Sequence, residues 1–580
     1  MGSSEVVQTA YPLAQFPVAT SAIIVILVSG LYLAYQWALP KPLPGIPYNS
    51  QAVKTILGDA AEVRQIRKNG GSPRGWFNEQ ASRHRSPLTQ VFLAPLSKPA
   101  IILSEYREAQ DLLLRRSKEF DRSQRNLDAL AGVVPHHHIS MRTSDPQFKR
   151  NKELVKDLMT PHFLNTVSAP QIYRHASKFI ELWRLKAQMA DGRPILAERD
   201  IHVMAFDIIK TVAVGEGDNQ SMTDLYVETV RSSPSEQMGV GIDNVFVFPE
   251  NKFHEDLEAH EHQQGAIGSS AMQPSPKLYH LIHNRKSIMR ECFALKINML
   301  RKQVALALKR HEAGEEVQSA LDYMIQREIA SAKKANRQPV FDSAQMFDEL
   351  YGYIGAGHDT TSTTLQWALK YMAVHQGVQQ KLREHIRTAF PTACSEGRQP
   401  TLAELIKTQV PYLEAVLEEV LRLNGPVRTV MREAMVDTTV LGHWIPKGTQ
   451  VFINLGGASI TSPAFPVDES LRSESARAHP DTPSSWGHDN PGAFVPERWI
   501  KTEDGAEIFD PLAGPFLSFS SGIRGCFGRR LAYVQLRVVM TLMIWNLEFG
   551  PLPEELNSWE SVDSLTTKPV KCFTRLSVAK

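Results

Sequence analysis

The sequence predicts a mainly α-helical body with a small β-rich region, tethered by one N-terminal transmembrane helix. Three observations carry this reading. From Pro146 onward most segments space their apolar residues at the helical period. Short β-branched or aromatic runs bounded by Pro or Ser fall in two places, Leu88–Ser104 and Val427–Asn454. Residues 18–39 are almost wholly apolar and uncharged. A formal net charge of +2 over 580 residues gives no reason to expect a nucleic-acid partner. The cysteines, Cys292, Cys394, Cys526 and Cys572, are far apart and form no C-x-x-C pair. That argues against a disulfide scaffold or a structural zinc site and fits a reducing compartment.

Residues 18–39 are long enough to cross a hydrocarbon core of about 30 Å as a helix. A cleaved signal peptide would need a positive segment before a shorter apolar core. Here Glu5 is the only charged side chain ahead of the span, while Lys41, Lys54, Arg64, Arg67 and Lys68 follow it. Positive charge on that flank places it in the cytosol. The expectation is a short lumenal tail (1–17), an anchor (18–39), a stiff proline neck (40–50, with Pro40, Pro42, Pro44 and Pro47) and a cytosolic body (51–580).

Within the body, Leu88–Leu93 and Ala100–Ser104 predict a small hairpin, and Glu105–Arg116 a helix with an acidic start and a basic end. Arg122–Asp145 shows no period and reads as a long loop. His136-His137-His138 lies in it; with no carboxylate at ligand spacing, a solvated run is favoured over a metal site. Helical patterns follow at Phe148–Met159, Ala169–Met189, Ile201–Val214 and Pro276–His311. No Gly/Ser linker divides the middle of the chain. Asn219-Gln220-Ser221 is a glycosylation sequon that a cytosolic body would leave unused.

Phe341–Arg387 is the longest uninterrupted helical pattern, and its middle is unusual. Gly352, Gly355 and Gly357 each cost about 1 kcal/mol against alanine, and the polar His358-Asp359-Thr360-Thr361 follows. Small residues beside an acid and an alcohol favour a ligand groove, with a tight helix crossing as the other reading. On the pattern Pro411–Leu423, Glu419 and Arg422 share a face. Val427–Arg432, Thr439–Leu441, Trp444–Gly448 and Val451–Asn454 predict short strands and turns, and Pro463–Gly492 an irregular surface excursion. Near the end stands Phe519-Ser-Ser-Gly522-Ile-Arg524-Gly-Cys526-Phe-Gly528, directly before a helical segment, Arg529–Trp545. A helix start and a nearby arginine suit a thiolate, and the glycines let a flat ligand approach. These residues alone fit a cysteine loop holding iron or another soft acceptor, or a buried structural cysteine.

Taken together the motifs resemble the cytochrome P-450 haem-thiolate monooxygenases. The cysteine loop matches F-x-x-G-x-R-x-C-x-G, Ala356–Thr361 matches A/G-G-x-D/E-T-T/S, Glu419–Arg422 matches E-x-x-R, and Pro496-Glu-Arg498-Trp499 matches P-E-R-F/W, in the family's order. The resemblance covers Pro40 to the C-terminus, and the anchor and neck look like those of microsomal members. It implies a single large helical domain with a β-rich side region. It also implies a haem whose proximal thiolate is Cys526 and whose propionates meet Arg524 and Arg432. Glu419, Arg422 and Arg498 would form a buried network behind the haem. Phe519 would pack beside the thiolate and Gly528 leave room for the porphyrin. Ala356 and Gly357 would form the oxygen groove, and Thr360 with Asp359 would deliver protons there. One departure stands out. Where members carry W-x-x-x-R, this chain has Lys152 and Lys156; Lys156 is carried over as a propionate partner, with a charge but no fork.

The activity implied is insertion of one oxygen atom from O₂ into an apolar organic molecule. No GxGxxG or flavin segment is visible, so electrons derived from NADPH must come through a separate reductase. NADPH–cytochrome P-450 reductase at the endoplasmic reticulum membrane is the implied partner, met by a basic face at Arg529, Arg530 and Arg537. The texture, including the Pro463–Gly492 excursion, is similar to filamentous-fungal members that tailor secondary metabolites. Rival readings are reductase-independent isomerase, dehydratase or peroxygenase chemistry, and a non-catalytic haem protein; Asp359 and Thr360 argue against both. The substrate-lining residues are expected in Arg122–Asp145 and Val427–Val430.

Overall fold

The computed structural model describes residues 17–215, 221–234, 237–250, 254–487 and 490–579. The N-terminal tail up to residue 16 and the Asn219 sequon lie outside the described residues. The apolar run is a 22-residue helix, α1 (Pro17–Ala38), about 33 Å long at 1.5 Å per residue. Its stretch Ser21–Ala38 has a mean hydropathy of 1.6 and no buried residue. The proline neck is not a free stalk. The Gln90 side chain exchanges hydrogen bonds with the backbone of Leu43 and donates also to the Ile46 carbonyl (2.7 Å). Ile46 is buried in the core beside the main sheet, so the body starts within the neck.

The elements that build the site are few. They are β1 (Leu88–Val91), β2 (Ala100–Leu103), β3 (Phe120–Arg122), α2 (Gln124–Ala131), α3 (Pro146–Val155), α4 (Ala169–Ala190), α5 (Glu198–Val214), α6 (Glu255–Ala271), α7 (Ala344–Val374), α8 (Pro411–Asn424), β4 (Thr429–Ala434), β5 (Gln450–Asn454) and α9 (Arg529–Asn546). The strands form one sheet in the order β1-β2-β5-β4-β3. β2 and β5 run parallel and the other neighbours antiparallel. Its register sets Arg122 of β3 directly opposite Arg432 of β4.

α7 runs through the helical core. The Ser343 side chain caps it, accepting from the Met346 N–H, and Leu365, Trp367 and Leu369 are fully buried. The predicted single helix Phe341–Arg387 is instead two helices meeting at His375. No proline breaks it; the Gln376 amide reaches back to the Met372 and Ala373 carbonyls and across to Phe549. Pro276–His311 likewise divides into Pro276–His283 and Ser287–Glu312.

Arg122–Asp145, expected to be a loop, contains α2 and a short 3-10 turn at His138–Ser140. Its histidines are not a solvated run. His137 is buried, and Glu349 of α7 accepts from both the backbone N–H of His138 (2.6 Å) and Asn151 (2.8 Å). The other Glu349 oxygen lies 2.7 Å from His138 Nδ1 and 3.5 Å from His137 Nε2. The partner carboxylate comes from 211 residues away, which spacing along the chain does not reveal.

Candidate active site

The cysteine loop is shaped by two backbone constraints. Gly522 has φ +69°, and a Cβ there would run into the Leu113 carbonyl oxygen. The Cys526 N–H donates to the Phe519 carbonyl (2.9 Å), closing the loop just before α9 begins. Cys526 is exposed, but to an internal cavity of about 340 Å³. Ala356, Gly357, Thr360 and Thr361 of α7 form the opposite wall, and Phe519, Gly528, Val427 and Val430 complete it. Burial pushes the Cys526 thiol up, opposed by the Gly528 N–H and the Arg529 charge. A bound cation is what would tip it to thiolate. Phe519 packs on Tyr533, with the Arg529 guanidinium over both rings.

The cavity wall on α7 is built from Ala356 and the threonines together with Gly352 and Gly357. Ala356 is exposed in the middle of a core helix, and what it faces is this space. Gly352 makes room for the His137 ring, Gly355 for Gln264 of α6, and Gly357 for Ile209 of α5. Gly355 therefore serves a crossing alone, while Gly352 and Gly357 serve crossings and also line the cavity. Thr360 Oγ1 donates back to the Ala356 carbonyl (2.7 Å). Asp359 points to the other side of α7, accepting from the Thr566 hydroxyl (2.7 Å) and lining a polar cavity of about 1190 Å³.

Beside the loop lies a concentration of positive charge. Arg122 and Arg432, opposite each other in the sheet, approach Arg524, and burial together with these neighbours lowers the affinity of Arg122 and Arg432 for their protons. Like charges directly opposite destabilise a strand pair. The near acid is Asp121, 3.6 Å from Arg524. Arg524 otherwise donates to the Met141 carbonyl and lies under the Phe148 ring, while Nε of Arg122 is buried without a partner. Lys152 of α3 lines the same cavity, its ammonium 5.5 Å from the Phe527 ring centre. Lys156 does not: it is on the outside of α3, paired with Glu153. Four residues earlier, Phe148-x-x-x-Lys152 supplies the aromatic and the cation on the inward face of the helix. This correction follows from a turn of 3-10 helix at Lys156–Met159, which rotates Lys156 away. No motif singles out Arg122 or Phe148, and the W-x-x-x-R comparison sets Lys152 at the tryptophan's place; spacing i, i+4 on α3 is the signal that pairs Phe148 with Lys152.

Behind the loop, Glu419 accepts from both arms of Arg422 (2.7 and 2.8 Å), from Arg498 (3.0 Å) and from the Trp499 indole (2.9 Å). All three charged side chains are 0% exposed. On the outer face, Arg537 pairs with Glu414 and Arg530 donates to the Met159 carbonyl, so the expected basic face is partly neutralised.

The family model for cytochrome P450 matches residues 77–467 and 481–572. The chain belongs to the cytochrome P450 family. It is 37% identical to the cytochrome P450 monooxygenase TRI13 of Fusarium sporotrichioides, over 95% of this chain and 98% of that protein. It is 36% identical to the cytochrome P450 monooxygenase xilC of Penicillium rubens, over 95% of each. A crystal structure of a cytochrome P450 (CYP102L1) covers 93% of this chain and 99% of its own, with TM-score 0.65 at 17% identity, which shows the shared fold. The chain is thus a P450 monooxygenase, and membership implies a haem with a cysteine thiolate ligand, a redox partner and a small-molecule substrate.

The residues present fit a haem. A thiol opens into the cavity, Gly528 has open space where its Cβ would be, and a cationic cluster with one acid stands where a dianionic ligand is needed.

Proposed function

We propose that Cys526 is the axial thiolate of a haem-dependent monooxygenase that hydroxylates or epoxidises an apolar small molecule in secondary-metabolite biosynthesis. The observation that carries it is the Cys526 thiol opening into a cavity faced by Ala356 and Thr360. Bound there, the haem supplies activation of O₂, one atom going to the substrate and the other leaving as water. Arg524, Arg432 and Arg122, with Lys152, hold its two carboxylates. Phe519 shields the sulfur from water, and Gly528 leaves the porphyrin room. Thr360 holds a proton at Oγ1 facing the reacting space. Asp359, turning from Thr566, replenishes it from the polar cavity beyond α7. Val427, Val430 and Ile139 present apolar surface to the substrate.

Electrons derived from NADPH arrive through a separate NADPH–cytochrome P-450 reductase at the outer face near Arg529. The apolar α1 anchors the chain in the endoplasmic reticulum membrane with the body in the cytosol. A carbon monoxide difference spectrum of the reduced protein tests the centre. The wild type is expected to show the red-shifted Soret band of a thiolate-ligated haem, and Cys526→His to shift it to that of a histidine-ligated one. A histidine-type band in the wild type would refute Cys526 as ligand.

A further inference from the structure

A second cavity, of about 510 Å³, adjoins the cysteine cavity and shares Arg122, Ile139, Val427, Val430 and Arg524 with it. Seven arginines line it, and no aspartate or glutamate does among the described residues. The chain as a whole is nearly balanced, with 64 basic and 62 acidic residues, so this is a local segregation of charge. The haem reading accounts for the three arginines at its inner end. Arg74 pairs with Asp563 and bonds the Ser564 and Leu565 carbonyls. Three remain: Arg64, Arg67 and Arg125, for which no carboxylate partner is found among the described residues.

Arg125 is the most telling of these. It sits on α2, donates to the Ala271 and Pro274 carbonyls (3.1 Å each) at the end of α6, and burial alone lowers its proton affinity. Arg125 is half-buried with carbonyls but no anion beside it, and a carboxylate would complete it with a charge-assisted pair. Arg64 and Arg67 are exposed at the opposite wall. At the inner end Ile139, Val427 and Val430 add apolar surface beside the three arginines assigned to the haem.

We infer that the substrate is an amphipathic carboxylate, or a comparable oxyanion, whose charged end docks on Arg125 with Arg64 and Arg67 while its apolar end reaches the cysteine cavity. This rests on the monooxygenase reading and names the substrate class for that site. It makes Arg125 a binding residue and predicts that oxidation occurs on a carbon remote from the charge.

The test uses haem-loaded full-length protein, its loading verified by the carbon monoxide spectrum, with dodecanoate and methyl dodecanoate as probes. Binding is read both from the ferric Soret shift and by equilibrium dialysis. The wild type is expected to bind the acid roughly tenfold more tightly than the ester, the scale of one charge-assisted pair. Arg125→Gln should cut that preference at least about threefold while leaving the ester's affinity unchanged. If Arg125→Gln does not fold, Arg64→Gln/Arg67→Gln, on an exposed helix, should reduce the preference about threefold, as a partly screened pair would. Equal binding of acid and ester by the haem-loaded wild type overturns the inference and leaves the monooxygenase reading intact. So does a preference that survives these substitutions. A wild type that takes up no haem sinks the underlying reading instead.

Discussion

Two buried clusters of arginine flank the cysteine loop, and they are built on opposite principles. At Glu419, two guanidiniums and an indole converge on a single carboxylate, and the leftover arginine N–H groups reach the Ile460, Pro491 and Ala493 carbonyls. The cluster is nearly complete within itself. At Arg524, three guanidiniums and Lys152 gather around one aspartate, two of them opposed across a strand pair. That cluster is incomplete: four cations against one aspartate leave a surplus of positive charge, which a ligand with two carboxylates would offset in large part. A satisfied buried network holds a fold together, whereas an unsatisfied one is a receptor.

The sharpest way to break the comparison is to unbalance the complete cluster. Glu419→Gln leaves Arg422 and Arg498 buried with no anion, which costs about 3–5 kcal/mol. We expect loss of folded protein or a large fall in the thermal midpoint, whether or not haem is supplied. Unaltered melting of the variant would mean that this network is dispensable to the fold.

Glu418, the next residue on α8, is a third case: a buried acid whose hydrogen-bond partner is neutral, the Tyr533 hydroxyl. Burial raises its pKa from 4.5 to about 7, against the lowering effects of Tyr533 and Arg529. The folded state therefore binds a proton that the unfolded state has released between these two values. Its contribution falls as pH rises through that window and is constant above it, at up to about 1.4 kcal/mol per pH unit. Glu418→Gln keeps an acceptor for Tyr533 but does not titrate. Urea unfolding at about pH 5, 6 and 7 should show the variant gaining on the wild type with rising pH; parallel curves would place the Glu418 pKa near its ordinary value.

What the sequence made legible follows the same division. The complete cluster is readable because Glu419 and Arg422 are three residues apart on one helix and Arg498 lies in a short fixed motif. The cysteine loop is readable because Gly522 and Gly528 stand at set distances from Cys526. The receptor cluster is only half readable, since Arg122 enters through strand register, a contact over 310 residues of chain. His137 and His138 were misjudged for that reason: Glu349 meets them only once α7 and the segment before α3 have docked. Asp359 and Thr360 are adjacent in sequence, yet consecutive helical positions diverge by about 100°, so α7 sends one to Thr566 and the other to the cysteine cavity. Helix ends were least legible, because the break at His375 depends on a glutamine reaching a distant strand.

The smallest effect separates two lysines that composition cannot tell apart. Lys152 and Lys156 are four residues apart on a helical pattern, so an ideal α-helix would put both on one face. The 3-10 turn at Lys156 breaks that relation: Lys152 faces the cavity over Phe148 and Phe527, and Lys156 faces solvent against Glu153. If the cationic cluster is a receptor for haem carboxylates, Lys152→Ala should speed haem transfer to excess apomyoglobin a few-fold, the order of a partly screened charge pair. Lys152→Arg should restore retention, because a guanidinium offers the fork as well as the charge. Lys156→Ala should leave the rate unchanged. Were Lys156→Ala to speed release and Lys152→Ala not, the inward face of α3 would be misassigned, and the receptor would consist of the three arginines alone.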